Sequence, residues 1–333
     1  MSLAALPIEL IDAICHNVPH HGLAALARVN SSVHPIAQRL LYRHVSISRA
    51  AHNLNVVITL ARRPDVARHV RTFSLIVDDD NILFSSFYHA LGKALSSMSE
   101  LTSLELLVNP ATSFVLTQSL RRPIYSRLHR FTSSFPFDTH VADFLARTPA
   151  LEELELDSTP VPTTTPLPLL PPTSIPHLIH FVGSCQAATV IVPGRPLESI
   201  HIHDGDLTED DIACLAQSTG QVAVLGAITT ALLVPLLRNL ARHLPGLAYL
   251  RVMAPFHLDS KIPENSFYEQ VADSLRLMPE LVDFEFSGMR WGSWQTNEKE
   301  NKPIWQAAPI DLDAAVDQRD DGFDFSTDFA FVY

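Results

Sequence analysis

A short aliphatic signature returns along most of this chain and limits its fold more than any other feature. An aliphatic residue, two intervening residues, an aliphatic or phenylalanine, one more residue and a last apolar residue stand at Val70-Phe73-Leu75, Leu101-Leu104-Leu106, Leu151-Leu154-Leu156, Leu197-Ile200-Ile202, Leu247-Leu250-Val252 and Leu281-Phe284-Phe286. Weaker copies begin at Leu128, Leu178 and Val222, with Phe131, Phe181 and Leu225 at the fourth position. Successive starts lie 31, 27, 23, 27, 19, 25, 25 and 34 residues apart, enough for one strand and one helix or turn each. A unit this small cannot bury its own aliphatics, so the copies must stack on one another.

Helical patterns fill several gaps. Phe84, Phe87, Tyr88, Leu91 and Leu95 precede Leu101; Leu232, Leu233, Leu236, Leu237 and Leu240 precede Leu247; Phe267, Val271, Leu275 and Met278 precede Leu281. Pro149, Pro245 and Pro279 stand just before their copies, where proline stops a preceding helix. Side chains alternate along a strand, so residues between the buried aliphatics face the other way. That outward set contains Ser74, Glu105, Glu155, Asp157, His201, His203, Arg251 and Glu285. It mixes carboxylate, imidazole and guanidinium. It is a candidate protein-binding surface, with a plain solvated face as the alternative.

The first 45 residues read as three short helices. Pro7 suits a first helical turn, and Ile11, Ile14 and Val18 follow at helical spacing, with Leu10 and Cys15 widening the apolar stripe. Pro19-His20-His21-Gly22 breaks the pattern; Leu23, Leu26 and Ala27 continue it; Asn30, Ser31 and Ser32 offer caps for a third helix through Ile36, Ala37, Leu40 and Leu41. About 40 residues is near the lower limit for independent folding, so exposed aliphatics here need a cover.

Leu6-Pro7-Ile8-Glu9-Leu10-Ile11, then Ile14, Val18, Leu23, Leu26 and Val29, resembles an F-box. Leu40-Leu41-Tyr42-Arg43-His44-Val45 is similar to the ending common in fungal members of that family. The family's tryptophan after the valine is absent; Val33 and His34 stand there. The resemblance implies docking onto a Skp1-like adaptor of a cullin–RING ubiquitin ligase through Leu6, Pro7, Ile8, Leu10, Ile14, Leu26 and Val29. The repeated signature, over about residues 54–290, resembles a degenerate leucine-rich repeat, in which only Asn109 fits the family's asparagine position. The expected fold class is therefore α/β: an F-box-like unit over residues 1–45, then an irregular leucine-rich-repeat-like αβ solenoid over 46–290, then an acidic tail over 291–333. A segment with seven prolines between Thr159 and Pro176 reads as an extended loop within the solenoid.

Charge and chemistry narrow the function. Of 333 residues, 47% are hydrophobic, and the net charge is -12. The acidity argues against a nucleic-acid or membrane-surface partner. Residues 1–75 depart from it, with eight arginines against Glu9, Asp12 and Asp65. Val222–Leu237 is 16 residues of nearly apolar sequence, too short to span a bilayer. The N-terminus lacks a basic region followed by an apolar stretch, so no secretory signal is expected. Cys15, Cys185 and Cys214 form neither a disulfide framework nor a zinc motif, as expected for the cytoplasm or nucleus. No nucleotide-binding glycine loop or nucleophile elbow occurs, so no cofactor is expected. His201-Ile202-His203-Asp204 has the i, i+2 spacing of a metal-binding strand, but the repeat register already accounts for both histidines.

The expected role is a non-enzymatic, substrate-recognition subunit of an SCF-type ligase, with an unknown protein target on the outward face. A repeat scaffold outside any ligase is the alternative, and a metal-dependent hydrolase using His201 and His203 is a distant third.

Overall fold

A computed structural model describes residues 6–77, 83–119, 123–158, 167–254, 265–294 and 304–309. The chain is mixed α/β. Helices α1 (Ile8–His16), α2 (His20–Leu26) and α3 (His34–Leu41) come first. There follow β1 (His44–Ser48), α4 (Asn55–Arg62), α5 (Pro64–Ala67), β2 (Thr72–Ile76), α6 (Ser85–Leu95), β3 (Ser103–Leu107), β4 (Arg130–Ser133), α7 (Thr139–Leu145) and β5 (Glu153–Glu155). Then come β6 (His180–Ser184), α8 (Cys185–Ile191), β7 (Ser199–Asp204), α9 (Glu209–Leu215), β8 (Val224–Ile228), α10 (Leu233–His243), β9 (Tyr249–Met253) and α11 (Asn265–Leu275). The last elements are β10 (Asp283–Phe286), β11 (Met289–Trp294) and β12 (Ile304–Pro309).

All twelve strands form one sheet whose spatial order is the sequence order. Pairing is parallel from β1 to β10 and antiparallel from β10 to β12. The repeated aliphatic lands on one rung throughout. Val45, Phe73, Leu104, Phe131, Leu154, Phe181, Ile200, Leu225, Leu250 and Phe284 are successive register partners, and all are buried. Burying each such side chain contributes about 1.5–3 kcal/mol. They share one core with the inner faces of the helices, including Leu91 and Leu95 of α6, Leu236, Leu237 and Leu240 of α10, and Val271 and Leu275 of α11. A second row, Ile47, Leu75, Leu106 and Ser133, lies two residues further on. Ser133 replaces an aliphatic there, and its buried hydroxyl has no hydrogen-bond partner among the described residues.

Three boundaries differ from the sequence reading. The sheet starts at His44, so Val45 heads the rung and the break expected at 45 falls inside β1. Pro19 caps α2, which already includes His20, His21 and Gly22; the break is confined to the residues before it. A Cβ on Gly22 would stand 2.6 Å from a methyl of Val18, so the small residue leaves room for Val18 in the turn before α2. The tail expected from 291 begins as sheet. Ser287 and Gly288, with φ of 44° and 85°, form a two-residue turn from Phe286 into Met289, and β11 and β12 extend the sheet to Pro309. Positive φ at both central residues matches the right-handed twist of a hairpin. Trp291 and Trp305 are buried against the end of the core.

The proline-rich stretch is described from Leu167 onward and carries neither helix nor strand through Pro176, as the loop reading expects. It is held by Arg195, which is 1% exposed. This guanidinium donates to the carbonyls of Ser174 (3.0 Å) and Pro171 (2.9 Å), and to those of Val190 (3.3 Å), Ile191 (2.5 Å) and Pro193 (3.3 Å) at the end of α8. A cation near a helix C-terminus is favoured by the dipole. Burial lowers its pKa from the ordinary arginine value.

Replacing Arg195 with methionine leaves these carbonyls unpaired and is expected to cost about 2–4 kcal/mol in urea unfolding. Unchanged stability would show that the loop needs no such anchor. Ser133→Ala removes a buried hydroxyl that has no partner and is expected to raise stability by about 1 kcal/mol in the same measurement.

Candidate functional site

The three N-terminal helices have a core of their own. Ile11, Cys15, Leu23, Val33, Ile36 and Ala37 are buried together, with Leu6, Val18, Leu26, Ala27, Leu40 and Leu41 packed around them. In α1, Pro7 sits at the cap position, and its carbonyl accepts from the amides of Leu10 (3.1 Å) and Ile11 (3.2 Å). Ile11 and Cys15, four residues apart, turn inward. Asp12 accepts from Arg39 at 2.5 Å and ties α1 to α3. Asn30 does not cap α3; its side chain accepts from the Ser32 amide at 3.1 Å in the preceding turn, and Val33 takes the cap position without a side-chain bond.

The core leaves aliphatics outside. Ile8 is 63% exposed, Leu10 52%, Ile14 42% and Val29 67%. Pro7 is exposed as well, while Leu6 and Leu26 are half-buried. Leu10 and Ile14 lie one helical turn apart on a common side of α1. Isolated exposed aliphatics are ordinary on a protein surface; Leu10 and Ile14 are the two that stand together.

The junction is abrupt. Leu40 and Leu41 pack on the helical core, and Tyr42, the next residue, packs on the sheet core. His44 then opens β1, its imidazole 2.8 Å from the Thr72 hydroxyl.

The second candidate surface is the sheet face opposite the helices. Glu105, Thr132, Glu155, Val182, His201, Gly226, Arg251 and Glu285 are successive register partners from β3 to β10. With Ser74 of β2, the register partner of Glu105, six of the eight residues singled out from sequence therefore share one row. Sequence reading missed Thr132, Val182 and Gly226, although each directly follows the fourth position of a weaker copy, at Phe131, Phe181 and Leu225, where strand alternation turns a side chain outward. Asp157 lies beyond the end of β5, and its amide donates to the Phe135 carbonyl at 3.1 Å. His203 lies at a register shift: Gly183 pairs with Ile202, whereas Ser184 pairs with Asp204.

Local pairing shapes the row. Glu105 accepts from the Ser74 hydroxyl at 2.6 Å, and Thr132 donates to Glu155 at 3.4 Å. Arg251 and Glu285 form a half-buried ion pair at 3.1 Å. Burial raises the Glu285 carboxyl above its ordinary value, Arg251 opposes this, and Asp283 adds to it. His201 is 3.1 Å from the Ser199 hydroxyl.

Burial first, then the Asp211 carboxylate, push the Cys185 thiol up to about 12, so it stays protonated at neutral pH. Among the described residues no three His, Cys, Asp or Glu side chains gather closely enough to hold a metal ion. No helix among them is long and apolar enough to cross a membrane. In comparisons with known proteins, no family model matches this chain and no curated protein matches it.

Three imidazoles titrate below their ordinary value. Burial is the first cause at His44, His69 and His203; Arg43 and Arg71 add to it at His44, and Arg68 and Arg39 at His69. The unfolded chain therefore takes up these protons first as pH falls, from about 6.5. The associated stability is complete above that value and is lost as pH drops through the folded-state pKa values. The melting temperature is expected to fall between about pH 7.5 and 5.5. His203→Gln, which cannot titrate, is expected to show a shallower fall; an equal slope in the variant would remove His203 from the effect. The raised Glu285 carboxyl acts in the opposite sense and at lower pH, near the carboxylate range.

Proposed function

We propose that this chain is a substrate-recognition subunit of an SCF-type ubiquitin ligase. In this reading α1–α3 are an F-box that docks a Skp1-like adaptor, and the sheet with its helices is an irregular leucine-rich-repeat-like solenoid that carries a protein target. The observation that carries the reading is the separate helical core with Pro7, Ile8, Leu10, Ile14 and Val29 left outside it. Desolvating such aliphatics in the pocket of a partner is the kind of contact that dominates interface energy. Strands stacked in chain order, each one unit from the next, support the repeat reading.

The mechanism is positioning. No residue of this chain forms a covalent bond with the target. The helical unit fixes the chain to the ligase, and the open sheet face holds the target so that its lysines meet a ubiquitin-charged enzyme at high effective concentration. The row from Glu105 to Glu285, with Asp157 and His203 beside it, is the proposed target surface. Cytoplasm or nucleus is the compartment this role implies.

Co-purification with a Skp1-like adaptor tests the reading. Leu10→Asp and Ile14→Asp are expected to weaken the complex by about thirtyfold or more while leaving the melting temperature nearly unchanged, since both side chains already face water. Ile11→Asp, which strikes the helical core, is expected to lower the melting temperature. Adaptor binding that survives Leu10→Asp and Ile14→Asp, or no adaptor binding at all, would leave a repeat scaffold outside any ligase.

A further inference from the structure

A cleft of about 500 Å³ separates the helical unit from the start of the sheet, and its walls are unusually rich in arginine. Arg39 comes from α3, Arg43 from the residue before β1, Arg68 from the end of α5, and Arg71 from the residue before β2. Asp12 and Glu100 are the acids that line it. Both are committed: Asp12 to Arg39 at 2.5 Å, and Glu100 to Arg127. Among the described residues Arg43, Arg68 and Arg71 form no ion pair in contact with a carboxylate; Asp65, already paired with Arg63, feels Arg68 only at longer range, and the buried Nε of Arg43 has no acceptor.

The main chain forces two of these cations together. The Arg43 carbonyl accepts from the amides of Arg71 (2.8 Å) and Thr72 (3.1 Å), so the two arginines stand beside each other at the starts of adjacent strands, about 4.8 Å apart. Like charges directly across from one another repel. Elsewhere the sheet sets opposite charges across from one another: Arg130 beside Glu153, Arg251 beside Glu285. At Arg43 and Arg71 the sheet supplies no such acid. Moreover, the carbonyl of Arg71 accepts from Thr102 and Ser103, which fixes this wall on its other side as well. The site is thus concave and short of negative charge, in a chain whose overall charge is -12.

We propose that this cleft binds a small oligophosphate, with the guanidiniums of Arg43, Arg68 and Arg71 holding its phosphoryl oxygens. Planar guanidiniums match phosphate in paired, charge-assisted hydrogen bonds. A chain of phosphates offers oxygens to groups presented by both β-strand starts and by the end of α5. The bound anion touches the linker between the helical unit and the sheet, so it stiffens the angle between them. The proposal does not depend on the ligase reading.

The test titrates sodium tripolyphosphate into the full-length protein in about 0.15 M salt, which screens loose surface attraction. Saturable one-to-one binding by calorimetry and a melting temperature raised by a few degrees are expected. The double variant Arg43→Gln, Arg71→Gln is expected to bind at least about tenfold more weakly. Its own melting temperature without ligand should not fall, because two repelling charges are gone. The double variant Arg49→Gln, Arg62→Gln, an equal charge change at exposed positions outside the cleft, should bind as the parent does. Failure of tripolyphosphate to bind would overturn the proposal, as would equal weakening by that control. Binding of a phosphoserine peptide with tripolyphosphate inert would overturn it in favour of a phosphorylated protein ligand.

Discussion

The rung that begins at Val45 and runs to Phe284 is the constraint on which the rest of this molecule depends. A strand of four or five residues with one polar face cannot stand alone, because its apolar side chains gain nothing until a neighbour covers them. Parallel pairing to the strand before and the strand after supplies that cover and satisfies the backbone amides in the same step. The helices then close the apolar face, and the opposite face is left open by default. The row of Glu105, Glu155, His201, Arg251 and Glu285 is thus a by-product of burying the rung, and its composition is free to vary without disturbing the core.

The helical unit obeys a different rule. Its own core is small and does not merge with that of the sheet, and the change of allegiance occurs between Leu41 and Tyr42. So short a junction couples the orientation of the two parts to a few residues, the same ones that bring Arg43 and Arg71 side by side. Folding thus draws no help for α1–α3 from the large core, which is why their outward aliphatics matter for any reading of function.

Much of this was legible before any coordinates. All nine copies of the aliphatic signature coincide with strands β2 to β10, because alternation at a fixed offset from a buried leader is a strong strand signal. The first strand was overlooked because its leader is aromatic: Tyr42, Val45 and Ile47 follow the same spacing as the other copies. The last two were hidden by isolated tryptophans and by surrounding polar residues, although Ser287-Gly288 between Phe286 and Met289 is a two-residue turn signal. The face assigned to most candidate residues followed from parity alone. Parity failed beside His203, where a register shift intervenes, and it could not show that Arg195 would be buried, since nothing local marks an arginine whose partners are all carbonyls.

The reversal at β10 has a consequence for assembly. A sheet that adds one parallel strand per unit has no inherent end, and its last strand would present unpaired amides to any similar edge nearby. Here the chain doubles back, wedges Trp291 and Trp305 against the final layer of side chains, and closes β12 with Pro309, which has no amide hydrogen to donate. Among the described residues the hairpin thus ends the parallel stacking at β10 and turns the sheet's last edge antiparallel.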